Sequence, residues 1–276
     1  MNKQPVTSPL RIVSTTTASY GLLFAAFARR NTDPSALRQL IKVISAAHAT
    51  CTTAGAIYAL TCARWTIQRP ADANTAGNKD TARLNDSGNP LIWGQSAFGN
   101  ALTSFETGYL VYDTGALLYA AYVTNPSRGL SHAVKRIAKT SPIFLGHHAG
   151  LIAALGLLQR YIAHGRERGI QVIVAFLLMN ASNPLLHARW LARKRYGYQG
   201  GLLDVALLTV FAASRFGMIA WVLRRYAEIH DLSVWAAFTR QRNVCKSGTG
   251  VLLLVNAVWF VGLCQQTIRG HRRKSI

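Results

Sequence analysis

His147 and His148 stand side by side in an otherwise apolar run, Pro142 to Ala163 (PIFLGHHAGLIAALGLLQRYIA). That run matches the roughly 20 apolar residues a membrane-crossing helix needs. An imidazole inside a span is costly, because each ring nitrogen must find a partner where there is no water. Two in one turn point to function, and an imidazole beside a carboxylate can act as general base or nucleophile in acyl transfer. A carboxylate is available one apolar segment earlier, where Glu106 and Asp113 lie seven residues apart and share a helix face with Tyr109. Adjacent helical residues point about 100° apart, so only one histidine of the pair can aim squarely at any one partner. His147, His148 and Asp113 are the candidate catalytic residues.

Further polar residues interrupt the other apolar segments: His48 in the second, Asn180, Asn183, His187 and Arg189 around Pro184 in the fifth, and Asp204 and Arg215 in the sixth. Charges avoid lipid, so the expected common destination is an internal polar chamber. Arg215, in mid-segment, is expected to meet an anion, whether Asp113, Glu106 or a lipid headgroup. Pro184 is expected to kink its helix and release a carbonyl. His48, Glu106, Tyr109, Asn183, Arg189 and Arg215 are the candidate lipid-binding residues. Asp204, His187 and Arg189 sit near segment ends and are equally read as satisfied by neighbours or by snorkelling.

Several chemistries fit poorly. A diiron desaturase or hydroxylase needs H-x-x-x-H and H-x-x-H-H boxes, and the chain has one HH and no H-x-x-x-H. A zinc hydrolase wants three convergent ligands, which His147, His148, Asp113 and His48 would supply only by tertiary coincidence. No metal and no cofactor is expected, unless acyl-coenzyme A serves as a donor. A transporter would show an inverted repeat or paired broken helices in its two halves, and none is evident.

The elements that must position these residues are seven candidate spans: Leu10–Ala28, Ile41–Cys62, Ala97–Val123, Pro142–Ala163, Ile170–His187, Leu202–Leu223 and Gly250–Ile268. The first is the weakest, being rich in Ser and Thr. The predicted class is all-α, a multi-pass bundle of about seven spans. Arg64 to Asn100 reads as one long mobile loop rich in Asn, Asp, Gly and Thr, and the other connections as short. Residues 1–35 form an N-terminal segment with the first span, 36–270 the main domain and 271–276 a basic tail.

Composition agrees. Half of the residues are hydrophobic and only 15% are charged, well below the quarter expected of soluble domains, and mean hydropathy is +0.16. The net charge of +21 sits in short clusters between apolar runs, such as Arg29/Arg30, Lys135/Arg136/Lys139 and Arg193/Lys194/Arg195. That spacing suits anionic headgroups at the membrane surface rather than one nucleic-acid face, so membrane lipids, not nucleic acid, are the expected partners. Cys51/Cys62 and Cys245/Cys264 are too far apart along single helices to bridge. The first apolar stretch, broken by Ser14 to Thr17, does not read as a cleavable signal. Lys and Arg are balanced across the two sides. A lumenal N-terminus would let the Asn85-Asp86-Ser87 sequon face the lumen and the final Arg273-Lys274-Ser275-Ile276 face the cytosol as a dibasic retrieval signal. These expectations place the chain in the endoplasmic reticulum membrane.

The ordered pieces Ile44-Ser45-Ala46-Ala47-His48-Ala49, Gly108-Tyr109-Leu110-Val111-Tyr112-Asp113, Phe144-Leu145-Gly146-His147-His148, Ser182-Asn183-Pro184-Leu185-Leu186-His187-Ala188-Arg189-Trp190 and Ser214-Arg215-Phe216 follow one another on successive segments. In that order they resemble the TLC-domain family of multi-pass membrane proteins, which includes the ceramide synthases, over about residues 36 to 270. The pattern is most similar to the subgroup of TLC-domain-containing protein 4. The longer ceramide synthase signature is missing: Ala149-Gly150-Leu151-Ile152-Ala153 follows the histidines, and the only His-Asp, His230-Asp231, lacks a second Asp. The resemblance implies six helices around a lipid-sized central cavity lined by the His pair and the Asp-bearing helix. For function it implies lipid homeostasis through lipid binding, trafficking or sensing. The alternative it implies is a ceramide synthase-like acyltransferase acting on a long-chain amine or alcohol.

Overall fold

Long apolar runs punctuated by proline fix the helix starts, because proline at the first helical positions sacrifices no backbone bond. The computed structural model describes residues 8–30, 33–67, 86, 88–198 and 201–272, and nearly all of them are helical. In chain order the elements are α1 (Pro9–Ala28), α2 (Pro34–Thr61), β1 (Thr66–Ile67), α3 (Pro90–Trp93), β2 (Gly94–Gln95), α4 (Ala97–Val123), α5 (Gly129–Thr140), α6 (Pro142–Ala163), α7 (Ile170–Leu177), α8 (Asn183–Tyr196), α9 (Leu202–Ala212), α10 (Met218–Ile229), α11 (Val234–Arg240) and α12 (Asn243–Arg272). A 3₁₀ stretch, Leu178–Ser182, joins α7 to α8. A π-helical turn, Ala213–Gly217, joins α9 to α10.

Helices thus occupy all seven predicted positions. Five are long and apolar enough to cross a membrane: Pro34–Thr61, Pro142–Ala163, Ile170–Tyr196, Leu202–Ile229 and Asn243–Arg269. The other two, α1 and α4, have the length but carry the Ser, Thr, Glu and Asp side chains that lower their hydropathy. Leu22, Leu202, Val251 and Leu254 lie largely exposed on these helices, as residues facing hydrocarbon do.

The connections are richer than the sequence suggests. Within the expected Arg64–Asn100 loop, β1 pairs antiparallel with β2, Thr66 opposite Gln95, and α3 is capped by the Asn89 side chain. Asn85, Ser87 and Arg273 to Ile276, and with them the sequon and the retrieval signal, lie outside the described residues. The Lys135/Arg136/Lys139 cluster lies on α5, where Ala133 is buried and Leu130 and Val134 are exposed.

The chain divides into two units. The first holds the described parts of Met1–Cys51 and Asn100–Glu167. Its core joins α1, α2 and α4 through Phe24, Leu37, Ile41, Ile44, Tyr109 and Tyr112. The second holds Thr52–Gly99 and Arg168–Ile276. One of its cores is built on Leu207, Phe211 and Leu263, and another on Leu91, Tyr226, Ala227 and Ala237.

Gly108 sets the approach of α1 to α4. A Cβ there would lie 2.6 Å from the Val13 carbonyl oxygen and 2.7 Å from Thr16 Cβ, while at Gly115 it would meet nothing within 4 Å. The Thr17 hydroxyl reaches the Gly108 carbonyl at 2.9 Å. Gly108→Ala is therefore expected to push α1 outward and to destabilise the protein by about 1–3 kcal/mol. Gly115→Ala is expected to be neutral or slightly stabilising. Thermal unfolding of both variants in mild detergent checks the contrast.

Candidate functional site

On α2, Lys42, Ser45 and His48 recur every third residue and lie on one side. On α4, Glu106, Tyr109 and Asp113, spaced three and four residues apart, also share one side. The two faces meet antiparallel. His48 Nε2 lies 2.9 Å from Glu106 Oε2, and Lys42 is electrostatically coupled to Asp113 six and seven residues further along the two helices. His48 is 1% exposed, and its ring stacks face to face on Tyr109 at 3.6 Å between centroids. Its other nitrogen, Nδ1, lies 3.1 Å from the hydroxyl of Tyr20 on α1. The Tyr109 hydroxyl is buried between Ser45 and Asp113 without a well-formed hydrogen bond.

α6 delivers the histidine pair, and the structure tells its members apart. His148 is buried. Its Nε2 faces Asp113 Oδ2 at 3.8 Å, its Nδ1 lies 2.9 Å from Thr114 Oγ1, and Phe144 covers the ring at 4.1 Å between centroids. His147 is half-buried, its ring 6.0 Å from that of His148. The Thr114 hydroxyl also reaches the Leu110 carbonyl at 2.8 Å. His148 therefore stands between the Thr114 hydroxyl at Nδ1 and the Asp113 carboxylate at Nε2. An imidazole held beside a carboxylate can serve as a general base.

Arg215 is expected to meet Asp113, Glu106 or a lipid headgroup, and within the described residues of its own unit it meets no carboxylate. Glu106 is bonded to His48, and Asp113 stands with His148 and Lys42. Arg215 is held by neutral oxygens instead: Nη1 donates to Asn256 Oδ1 at 2.8 Å, Nη2 to Asn183 Oδ1 at 3.1 Å and Nε to Ser182 Oγ at 3.3 Å. Its guanidinium lies over the rings of Phe211 at 4.6 Å and Trp259 at 5.5 Å. Among the described residues no carboxylate pairs with it, although it is only 9% exposed. Local sequence explains the placement. Pro184 has no N–H to donate, and the helix tightens into a 3₁₀ stretch before it, presenting Ser182 and Asn183. The π-helical turn presents Arg215 toward them. Two guanidinium N–H groups remain beyond the three donated bonds.

Arg189 is committed elsewhere. Its Nε pairs with Asp204, which is fully buried; Nη2 donates to Thr267 Oγ1 at 3.0 Å, and Arg193 reaches Asp204 from 3.4 Å. Its contacts are those of a structural ion pair. His230 lies 3.2 Å from Asp86, whose oxygen also accepts from Tyr226 at 2.9 Å.

Tyr20, Thr114, Ser182 and Asn256 were not among the predicted site residues. Asn256 was legible, since a lone amide in mid-span needs a partner, and Thr114 neighbours Asp113. Tyr20 sits in the most polar helix, where nothing marks one hydroxyl above another.

With this geometry, the residue pattern can be set against known families. A model of the TLC domain matches residues 40–265. The chain therefore belongs to the TLC-domain family and is an integral multi-pass membrane protein. No curated protein and no solved structure matches it.

The Arg189–Asp204 pair supports a direct test. Arg189→Leu leaves the buried Asp204 with only the longer contact from Arg193 and is expected to cost up to about 3–5 kcal/mol, seen as loss of monodisperse protein on size exclusion. Replacing both residues by Leu is expected to restore much of the yield.

Proposed function

We propose that the protein is a lipid-handling membrane protein of the endoplasmic reticulum, with all seven long helices crossing the bilayer, acting in lipid homeostasis by binding an anionic amphiphile. The observation that carries this reading is Arg215. An arginine stays ionised under all physiological conditions. Neutral dipoles and ring faces orient its charge without cancelling it, and an uncompensated buried cation is costly. An anionic headgroup, carboxylate or phosphate, bound to the two remaining N–H groups supplies the missing charge, with bidentate geometry available to the guanidinium fork. Asn183 lies beside that position.

The experiment is mass spectrometry of lipids co-purified in mild detergent. Wild type is expected to retain one anionic lipid class, and Arg215→Leu to retain about tenfold less. Arg215→Lys keeps the charge but not the fork and is expected to fall between them. Identical lipid profiles for the three proteins would refute the reading.

A second reading, acyl transfer to a long-chain amine or alcohol from an acyl-coenzyme A donor, is favoured by one arrangement: the buried His148 with its Nε2 facing Asp113. In that reaction His148 is base or acyl acceptor and Asp113 orients it. The intact mass of wild type would carry a fatty-acyl adduct, abolished by His148→Ala and retained by His147→Ala. An unmodified wild-type mass under acyl-coenzyme A loading would exclude the covalent route.

A further inference from the structure

The two faces of α5, which joins α4 to α6 in the first unit, have opposite chemistry. Leu130, Ala133, Val134, Ile137 and Ala138 recur at the intervals of a single helix stripe. At about 100° per residue, His132, Lys135, Arg136 and Lys139 occupy the opposite face. Lys135, Arg136 and Lys139 are exposed, and Arg128, just before the helix, adds a guanidinium 3.3 Å from His132 Nε2. No carboxylate side chain occurs in the chain between Asp113 and Glu167, so no neighbour in sequence balances these cations.

Only one edge of the apolar stripe is covered. α5 packs against α6; Ala133 is buried and Ile137 half-buried, whereas Leu130 is 57% exposed, Val134 is 39% exposed and Ala138 is exposed as well. Position along the chain decides what lies against the open edge. α6 is apolar enough to cross the membrane and begins at Pro142, and only Ser141 separates it from α5. α5 therefore sits at the level where the chain enters the bilayer. At that level an apolar edge meets the acyl boundary, and long cationic side chains on the far face bend back to the headgroups. α5 has no Trp or Tyr, the residues that hold a helix at an uncharged interface. Its apolar side chains are mostly small, so insertion alone is weak and attraction to negative lipid must supply the rest.

We propose that α5 is an in-plane surface helix that binds anionic phospholipid headgroups where α6 enters the bilayer. Leu130 and Val134 lie in the acyl boundary, and Lys135, Arg136 and Lys139 meet the headgroup phosphates and carboxylates. The surface uses none of the residues around Arg215 and holds whatever Arg215 binds. A helix of 12 residues is marginal by itself in water, so seating on lipid shows as added protection of its backbone.

The test is hydrogen–deuterium exchange read by mass spectrometry on peptides from α5. The full chain is placed in nanodiscs of phosphatidylcholine alone or with about a third phosphatidylserine. The anionic discs are expected to slow exchange in α5 about tenfold relative to the zwitterionic ones, and high salt to erase the difference. The triple variant Lys135→Gln/Arg136→Gln/Lys139→Gln keeps the helix propensity and is expected to exchange at the zwitterionic rate in both discs. Equal exchange of wild type in the two discs, or a slowing of the triple variant as large as that of wild type, would overturn the proposal. So would an equal slowing in zwitterionic discs by soluble polyglutamate, which would give the face to an acidic protein instead. Peptides from α10 control for a general effect of the anionic lipid, and slowing there by the same factor counts against the proposal too. The wild-type comparison needs no variant, so it decides the question even if the triple variant is unstable.

Discussion

A charge in hydrocarbon has no water to solvate it, and this one constraint arranges nearly every polar residue of the chain. Each buried ionisable group is met by a partner that costs less than exposure would. Glu106 takes His48, Asp204 takes Arg189, and Asp113 takes His148 and Lys42. The helices therefore cannot slide or rotate against one another freely, since a shift of one residue would strand a charge. Apolar packing among Leu, Ile and Ala side chains specifies little by itself in lipid, which is as apolar as they are. The polar contacts specify the register, and the aromatic stack of Tyr109 on His48 fills the space between them.

Arg215 departs from that pattern, and the departure separates function from architecture in this molecule. Arg189 and Arg215 are both buried arginines of the second unit. One is neutralised by a carboxylate of the same protein, and its role ends there. The other is framed by three amide and hydroxyl oxygens and two rings. Such a frame fixes the direction of a guanidinium while leaving its charge to be answered from outside the chain.

Much of the fold was legible because length and hydropathy are one-dimensional properties: the seven helix positions follow from apolar run length, although α2 begins at Pro34, seven residues before the expected Ile41. The polar residues were legible as types, since His48, Glu106, Asp113, His148 and Arg215 all stand where lipid would penalise them. Their pairing was not. Helical spacing shows that Glu106, Tyr109 and Asp113 share a face, but the relative azimuth of two helices is set by tertiary packing and decides which residue of each face meets which. For that reason the sequence leaves Arg215 open between Asp113, Glu106 and a lipid headgroup, and Arg189 open between a lipid-binding role and a local partner, which the structure supplies as Asp204. Local distortions were hidden as well. Pro184 signals a disturbed helix, whereas Ala213–Gly217 carries no residue that demands a wide turn. The short pairing of Thr66–Ile67 with Gly94–Gln95 joins segments 27 positions apart and leaves no local periodicity to read.

That wide turn works as a phase step. A regular helix turns by about 100° per residue, and a π-helical turn holds one residue more than the regular geometry allows. The buried residues of α9 on one side of that turn are Asp204, Leu207 and Phe211, and those of α10 on the other include Ile219, Val222 and Tyr226. The two halves serve different neighbours. Leu207 and Phe211 pack with Leu263 of α12, and Tyr226 and Ala227 pack with Leu91 and Ala237 beside the chain's one long connection. A single rod through the bilayer thereby acts as two short ones with independent facings, and the seam between them is the position of Arg215.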